Sequence, residues 1–285
     1  MTNVFHDALI GLEAQSMAAI SRNDGDYEQD GLLYCGKCHT PKQARIEIYG
    51  TVHTPMCLCK CENERYEREK KEAEQRSKME RLDRLRKEGF PDADLERCTF
   101  DKDDGGSPKI MRVAKNYAEN FDEMKRRGKG LVFFGGVGTG KTFAAACVAN
   151  LLISKGIPCL VTNFARLTNT LFGMNDNKQA YIDGLNQYEL LVIDDLASER
   201  DTEYMQETVM NIIDSRYRSG LPIIVTTNLT AQQLKSPSDV RRERIFSRLM
   251  EMCVLIEADG KDRRKAKLRH DYQELSELLG IGENE

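Results

Sequence analysis

The second half of the chain alternates between short apolar runs and longer stretches in which apolar residues recur with a helical period. Four of the apolar runs have the length of buried strands, and each ends at glycine, threonine, aspartate or asparagine. They cover residues 131–134, 159–162, 189–195 and 221–228. Because strands and helices alternate, the pattern predicts an α/β fold with a parallel sheet flanked by helices.

Helices are predicted where apolar residues recur every three or four positions. These stretches cover residues 7–21, 109–127, 143–154 and 164–172. Polar and glycine-containing residues make 22–31 a predicted loop or linker, and Ser-Pro-Ser makes 231–240 a predicted loop as well. The first of the helices is separate from the sheet pattern, so we expect it to dock on a partner or on the N-terminal part of the chain.

Residues 62–88 form a charged run with ten Lys or Arg and nine Asp or Glu. Acids and bases three or four positions apart, such as Glu64 with Arg68, favour an exposed helix. Apolar residues are too few for a sustained coiled coil, and the near-cancelling charge argues against a nucleic-acid arm. Gly89-Phe90-Pro91 is expected to end this helix, which predicts a charged linker over 62–90 and a domain boundary at its end.

The composition of the 285 residues limits the class of protein. A formal charge of −4, with 31% charged and 40% hydrophobic residues, excludes a surface coated in basic groups, so any nucleic-acid contact must be local. No apolar run approaches the roughly 18–20 residues that span a bilayer. Since the N-terminus also lacks a basic segment typical of signal peptides, we expect a cytoplasmic protein with no membrane contact.

Five of the nine cysteines lie between positions 35 and 61. The first two form Cys-x-x-Cys, Cys35 and Cys38, and the others follow as Cys57, Cys59 and Cys61. Two pairs of thiolates at short spacing can close a tetrahedral zinc site, and residues 44–54 alternate like a hairpin with a turn at Gly50. We therefore predict a zinc-ribbon-like module.

The ligand set of this module is open on sequence alone. Two of Cys57, Cys59 and Cys61 suffice, and His39 or His53 could replace one of them. A catalytic redox Cys-x-x-Cys is the rival interpretation, but it leaves the second cysteine cluster unexplained.

The run from Gly135 to Thr142 matches the phosphate-binding loop pattern G-x-x-x-x-G-K-[ST] without a mismatch. A predicted strand precedes it and a predicted helix follows, so backbone N–H groups and the helix dipole would face an anion. Lys141 is expected to reach the β- and γ-phosphates, and the Thr142 hydroxyl to bind Mg²⁺. The alternative is a chance glycine-rich turn; a dinucleotide fingerprint is excluded because its third glycine would fall on Lys141.

Two further strand ends supply candidate catalytic groups. Residues 189–195 are an apolar strand that ends in Asp194 and Asp195, with Asp194 expected to hold Mg²⁺ and Asp195 to polarise the attacking water. The strand before Asn228 ends in Thr-Thr-Asn, which would let Asn228 orient that water. The candidate nucleotide-binding residues are Gly135, Gly136, Val137, Gly138, Thr139, Gly140, Lys141, Thr142, Phe143 and Asp194.

Arg244 and Arg248 lie one helical turn apart on the same predicted face. Three interpretations fit such a pair. It can be plain surface, a DNA contact, or an arginine finger that completes the ATP site of a neighbouring protomer.

The order of these motifs resembles the AAA+ ATPases of the DnaC/DnaI helicase-loader and IstB transposition-helper branch. The phosphate loop, residues 190–195, 223–228 and 244–249 carry the resemblance, and the cysteine module before a charged helix is similar to loaders from phages and prophages of Gram-positive bacteria. The resemblance implies a P-loop NTPase domain of the AAA+ type over residues 91–285 with a truncated lid, after a partner-binding module over 1–61.

This resemblance also implies a function. Members bind ATP and single-stranded DNA, stack head to tail, and grip the hexameric replicative DNA helicase through the N-terminal domain. Lys141, Thr142 and Asp194 then bind ATP–Mg²⁺, and Asp195 and Asn228 serve hydrolysis. Arg244 is the finger offered in trans, with Arg248 its neighbour, and Arg263 or Arg264 matches a second sensor arginine.

Two other functions remain open at this stage. A transposase helper would use the same ATPase, although the zinc module argues against it. A zinc-dependent nucleic-acid binder with a regulatory ATP site is the other, because Asp195 is one methylene shorter than the glutamate usual at its position.

Overall fold

The computed structural model describes residues 22–196, 203–237, 239–260, 262–263, 272, 275–276 and 278–279. The predicted helix over residues 7–21 lies outside them. The chain divides after Met79 into two compact units, and each is described by itself. Across the described ranges, no helix is both long and apolar enough to cross a membrane.

The first unit is built from two antiparallel hairpins. Strands β1 (Tyr27–Gln29) and β2 (Leu32–Tyr34) form one hairpin, and β3 (Ile46–Ile48) and β4 (Thr51–His53) form the other. The second hairpin confirms the predicted one. Its turn residues Tyr49 and Gly50 both have positive φ, at 50° and 76°, which a tight two-residue hairpin requires.

The charged helix α1 spans Lys60–Gly89, which confirms the helix predicted over 62–88. Only Leu85 and Gly89 are buried along it, so most of its surface is exposed. A Cβ at Gly89 would lie 2.5 Å from the carbonyl oxygen of Cys159, so only glycine allows this close approach. Leu85 and Phe90 join the core of the second unit. Gly89 was predicted as a helix breaker, and its close packing against Cys159 is a second role.

The second unit contains a five-stranded parallel sheet, which confirms the predicted fold class. Its strands are β5 (Gly130–Phe134), β6 (Cys159–Asn163), β7 (Leu190–Leu196), β8 (Ile223–Thr227) and β9 (Cys253–Glu257). Their order across the sheet is β6-β7-β8-β5-β9. The sequence analysis did not predict β9, which follows a helix directly and has only three apolar residues between its terminal Cys253 and Glu257.

Helices cover both faces of this sheet. They are α2 (Ala93–Glu96), α3 (Pro108–Glu119), α4 (Phe121–Arg126), α5 (Lys141–Ser154), α6 (Phe164–Gly173), α7 (Lys178–Gly184), α8 (Glu203–Ser219), α9 (Ala231–Lys235) and α10 (Val240–Met252). Two one-turn 3-10 helices cover Phe100–Lys102 and Leu185–Gln187. Residues on β5 alternate between the two apolar layers: Phe133 faces the layer that contains α3 and α5, and Val132 the layer that contains α6, α8 and α10.

Two sequence predictions about helices were wrong. The single helix predicted over 109–127 is interrupted at Asn120, whose side-chain amide donates to the carbonyl of Asn116 and caps α3. The loop predicted over 231–240 contains α9, which begins with a capping box: the hydroxyl of Thr230 accepts from the Gln233 amide, and the Gln233 side chain accepts from the Thr230 amide.

Candidate nucleotide site and cysteine cluster

The phosphate loop connects β5 to the N-terminus of α5. Gly135, Gly138 and Gly140 have φ values of 128°, 75° and 87°, a region that side chains disfavour. Glycine therefore permits the turn that brings backbone amides to the start of α5. Because parallel strands end at the same edge of the sheet, the ends of β7 and β8 lie beside this loop.

The ammonium group of Lys141 lies inside the loop, and this residue is only 5% exposed. Its Nζ donates to the carbonyl oxygens of Gly135 at 3.0 Å and Gly136 at 2.6 Å, and to Oδ1 of Asn228 at 2.9 Å. The predicted lysine and the predicted asparagine are thus in direct contact, although 87 positions separate them.

Asp194 accepts hydrogen bonds from two hydroxyl groups. The hydroxyl of Thr142 donates to Asp194 Oδ1 at 2.8 Å, and that of Thr226 donates to the same oxygen at 2.5 Å. Burial raises the pKa of Asp194 above its ordinary value, against the hydrogen bonds that lower it. Adjacent oxygen ligands of octahedral Mg²⁺ at about 2.0–2.1 Å lie roughly 2.9 Å apart. The Thr142 and Asp194 oxygens fit that ion.

Asp195 has a left-handed backbone with a φ of 56°. Its amide donates to the hydroxyl of Thr226 at 3.0 Å, and the pairing of β7 with β8 shifts register between Ile193 and Leu196. Aspartate adopts this conformation more readily than most residues, which favours aspartate at this position. Strain of about 1–3 kcal/mol at such a residue is typical of functional sites.

A cavity of about 400 Å³ contains most of these groups. Lys141, Thr142, Asp195 and Asn228 line it, and Asp194 contacts it through Thr142. The sequence analysis missed part of its wall, formed by Leu95, Cys98, Lys102 and Asp104. A wall made of such different residues carries no local motif, so the sequence pattern gave no signal for it.

Arg263 also lies at the phosphate loop. Its amide donates to the Gly138 carbonyl at 3.0 Å, and its Nη1 lies 2.9 Å from Oδ1 of Asp104. A Cβ at Gly140 would meet the guanidinium carbon of Arg263 at 3.1 Å. The predicted sensor position 263 therefore lines the candidate site, whereas position 264 lies outside the described ranges.

Arg244 and Arg248 on α10 do not line this cavity. Arg248 is held within its own chain: its Nε lies 3.4 Å from Oδ1 of Asp214, and its guanidinium stacks 4.2 Å from the ring centre of Tyr217. Arg244 is exposed, and it has no ion pair within the part of the chain that the structure describes. The two arginines, equivalent in the sequence pattern, thus differ in their surroundings.

Four of the five candidate zinc ligands lie together. The sulfur atoms of Cys35, Cys38, Cys59 and Cys61 are all within 4.8 Å of one another. The sulfurs of Cys35 and Cys61 are 3.7 Å apart, and those of Cys59 and Cys61 are 3.4 Å apart. A tetrahedral zinc with bonds of about 2.3 Å to sulfur needs separations of roughly 3.8 Å. The donor set therefore fits zinc.

The remaining candidate ligands lie elsewhere. The thiol of Cys57 donates to the carbonyl of Pro41 at 3.9 Å, and Nδ1 of His39 lies 3.3 Å from the hydroxyl of Tyr27. Neither these residues nor His53 belong to the cluster. Of the alternatives open on sequence alone, the geometry favours the four cysteines.

The cysteines of the cluster differ in the pKa values of their thiols. A hydrogen bond from the Thr40 hydroxyl lowers the pKa of the Cys38 thiol to about 5, whereas burial raises the pKa of Cys59. Since zinc binds thiolates, metal binding would release protons from the buried thiols.

Comparison with known proteins gives one family match over about three quarters of the chain and relatives that match a smaller part of it. The family of IstB-like ATP binding proteins matches residues 57–270. The replicative helicase loader DnaC of Buchnera aphidicola is 28% identical over 160 residues, covering 53% of this chain and 63% of that protein. The replicative helicase loader DnaI of Bacillus subtilis is 25% identical over 197 residues, covering 63% and 62%.

The chain thus spans just over three fifths of the length of these curated relatives. A crystal structure of DnaI has a TM-score of 0.53 and 24% identity, and the match covers 63% of this chain and 99% of that one. At that identity the structural match supports the fold alone.

Proposed function

Because the chain belongs to the family of IstB-like ATP binding proteins, we propose that it is an ATPase that loads the replicative DNA helicase. The observation that carries this proposal is the contact of Lys141 with Asn228 beside the Thr142–Asp194 pair, in a chain similar to two proteins named replicative helicase loaders. The N-terminal module binds the helicase, and the ATP site serves the loading step.

The side chains of the site divide the work of hydrolysis. Lys141 neutralises charge on the β- and γ-phosphates, and Thr142 and Asp194 hold Mg²⁺, which supplies further charge neutralisation when bound. Asp195 accepts the proton of the attacking water, and Asn228, at the end of β8, orients that water. Lys141 and Asn228 are in direct contact. A movement of Lys141 toward the phosphates would therefore also change the position of Asn228.

We assign the completing arginine to a neighbouring protomer. Arg244 is exposed and lacks an ion pair among the described residues, whereas Arg248 is engaged by Asp214 and Tyr217. An exposed guanidinium without an ion pair among the described residues suits the γ-phosphate of an adjacent site in a head-to-tail assembly. Arg248 then positions α10 from within the same chain.

Single-stranded DNA would find a stacking surface near the start of α8. Phe172 is 77% exposed and Tyr204 is 36% exposed, and their rings meet edge-on with centres 5.9 Å apart. Nζ of Lys178 lies 5.4 Å from the centre of the Tyr204 ring. Exposed aromatic rings beside a cation bind bases by stacking and backbone phosphate by charge.

The helicase contact is assigned to the module before α1. Its β3–β4 hairpin exposes Ile46, Tyr49 and Val52 by 44%, 98% and 55%. Exposed apolar and aromatic groups on a metal-stabilised hairpin offer a binding surface that does not depend on the ATP site.

The test is an affinity experiment with the full chain and a purified hexameric replicative helicase. We expect a complex with the wild type, a weaker complex for Tyr49→Ser and Val52→Ser together, and an unchanged one for the exposed control Lys115→Ala on α3. Loading of the helicase onto single-stranded circles should need ATP. If the chain bound a transposase complex and bound none of the replicative helicases tested, the transposition-helper function would replace this one.

A further inference from the structure

A buried triad of charged side chains connects the two halves of the cysteine cluster. Lys42 is fully buried, and its Nζ lies 3.0 Å from Oδ2 of Asp26 and 3.3 Å from Oε1 of Glu62. The side chains of Asp26 and Glu62 are 2% and 16% exposed. Burying three charges is costly in any protein, and it is unusual in a module whose described residues include so few buried apolar ones. The arrangement therefore calls for a function.

Asp26 contacts the first cysteine pair. Its Oδ1 accepts the amide of Gly36 at 3.0 Å, and Gly36 lies between Cys35 and Cys38. A Cβ at Gly36 would be 2.0 Å from the carbonyl oxygen of Gly25, so the segment that carries Asp26 packs directly on this pair. The carboxylate thereby fixes the backbone that presents Cys35 and Cys38.

Glu62 contacts the second pair. Its Oε2 lies 3.2 Å from Sγ of Cys59, and it directly follows Cys61 in the first turn of α1. Lys42 is the group that both carboxylates share. The backbone of Lys42 also joins two other segments of the module. Its amide donates to the Leu33 carbonyl and its carbonyl accepts the Cys57 amide, both at 2.7 Å.

The charges of the metal-bound cluster explain the need for a cation. Zinc with four thiolates carries a net charge of −2, and Asp26 and Glu62 add two more negative charges beside it. A buried cation between the two carboxylates offsets these negative charges and so favours the metal-bound form. Although burial alone would lower the pKa of Lys42, its bonds to Asp26 and Glu62 raise it, so the ammonium stays charged.

We propose that Lys42 is the positioning residue of the metal centre: it holds the two cysteine pairs in register through Asp26 and Glu62 and offsets the charge of the thiolates. This inference rests on the proposed zinc site and goes beyond it, because it assigns zinc affinity to a residue that does not touch the metal.

The experiment uses the full chain and measures zinc affinity by competition with a chromophoric chelator. Removing a supporting contact of this kind typically costs about 10–100-fold in metal affinity. We expect a loss in that range for Lys42→Met. The matched control is Lys37→Met, since Lys37 is exposed and lies between Cys35 and Cys38. Its zinc affinity should stay within about twofold of wild type.

Cobalt substitution separates positioning from plain stability. In Lys42→Met the thiolate-to-cobalt absorption should be weaker and shifted, because the two cysteine pairs no longer meet in one geometry. A residue that only stabilises the fold would leave the saturated cobalt spectrum unchanged. If Lys42→Met does not fold, Glu62→Gln, at a partly exposed position, decides the matter: we expect weaker zinc binding and the same spectral change.

Wild-type zinc affinity in Lys42→Met, or in Glu62→Gln where Lys42→Met is unfolded, would overturn the inference. So would an unaltered cobalt spectrum in the variant used. A wild-type chain that binds no zinc would instead refute the proposed zinc site itself, so the two failures are distinguishable.

Discussion

The two units of this chain are stabilised by different means. The second unit buries two continuous apolar layers on either side of its sheet, with α5 almost wholly enclosed. Among the described residues of the first unit, from position 22 onward, the buried hydrophobic residues are Leu33, Cys35 and Cys59, and the most deeply buried large side chain is that of Lys42. Apolar burial suffices for one fold, whereas we propose that the other depends on a metal and on paired charges.

The two units therefore differ in whether the residues that stabilise the fold also form the candidate site. In the second unit, the core holds the sheet, so the groups at its edge can adopt strained or charged states at modest cost, as Asp195 and Lys141 do. In the first unit, the four clustered cysteines would hold both the fold and the proposed metal, so a change to one would alter the other.

The largest expected effect comes from removing the metal site. Structural zinc contributes about 10–16 kcal/mol in small zinc-binding peptides. Cys35→Ser with Cys38→Ser, or a strong chelator, should therefore unfold the first unit and leave ATP binding by the second intact. Circular dichroism, metal analysis and nucleotide titration measure the two units separately. The comparison fails if a zinc-free first unit stays folded; Cys57→Ser, outside the cluster, is the matched control.

The next effect tests whether the second unit is complete alone. An arginine finger is worth about 10³–10⁵-fold in rate, so Arg244→Ala should reduce ATP turnover by at least about 10³-fold. Lys141→Ala should also be inactive, because it lacks the cation at the phosphates. Mixing the two inactive variants should restore part of the activity, since some interfaces join an intact loop to an intact arginine.

The matched control for that mixture combines Lys141→Ala with Asp195→Asn. Both changes lie in the same half of the interface, so no mixed pair contains a complete site and activity should stay absent. If Lys141→Ala and Arg244→Ala co-assemble and still show no turnover at any ratio, Arg244 acts within its own chain or on DNA.

Loss of core packing should affect the second unit only. Leu152 is fully buried in α5, and Leu152→Ala should lower the free energy of unfolding by about 2–5 kcal/mol. Zinc content should not change. Met250→Ala is the control, because Met250 is 43% exposed on α10 and a surface change should cost within about 0.5 kcal/mol. Differential scanning calorimetry with metal analysis would show an equal loss in both units if the comparison were wrong.

Asp195→Asn should have the smallest effect on stability while still slowing ATP hydrolysis. Asparagine tolerates the left-handed backbone as well as aspartate does, so the unfolding transition should stay within about 0.5 kcal/mol of wild type. Nucleotide binding should persist, and hydrolysis should fall by about 10²–10⁴-fold because proton acceptance is lost. Turnover at the wild-type rate would remove Asp195 from the catalytic role.

Features set by neighbouring residues could be read from the sequence. Four elements were predicted from spacings within about thirty positions, which requires no knowledge of the fold. They are the phosphate loop, the strand before Asp194, the hairpin at Gly50 and the charged helix. The elements that were missed have weak local signals: β9 is short and follows a helix directly, and α9 depends on a capping box that Ser-Pro-Ser obscured.

Contacts between distant positions were decided by the tertiary structure alone. Which cysteines cluster, which arginine Asp214 and Tyr217 engage, and where Arg263 lies all follow from pairings across many residues. The Lys42 triad is the clearest case, since its members are ordinary charged residues at positions 26, 42 and 62. Sequence pattern records the period of an element, but only the packed chain sets the distances on which charge, hydrogen bonding and metal geometry depend.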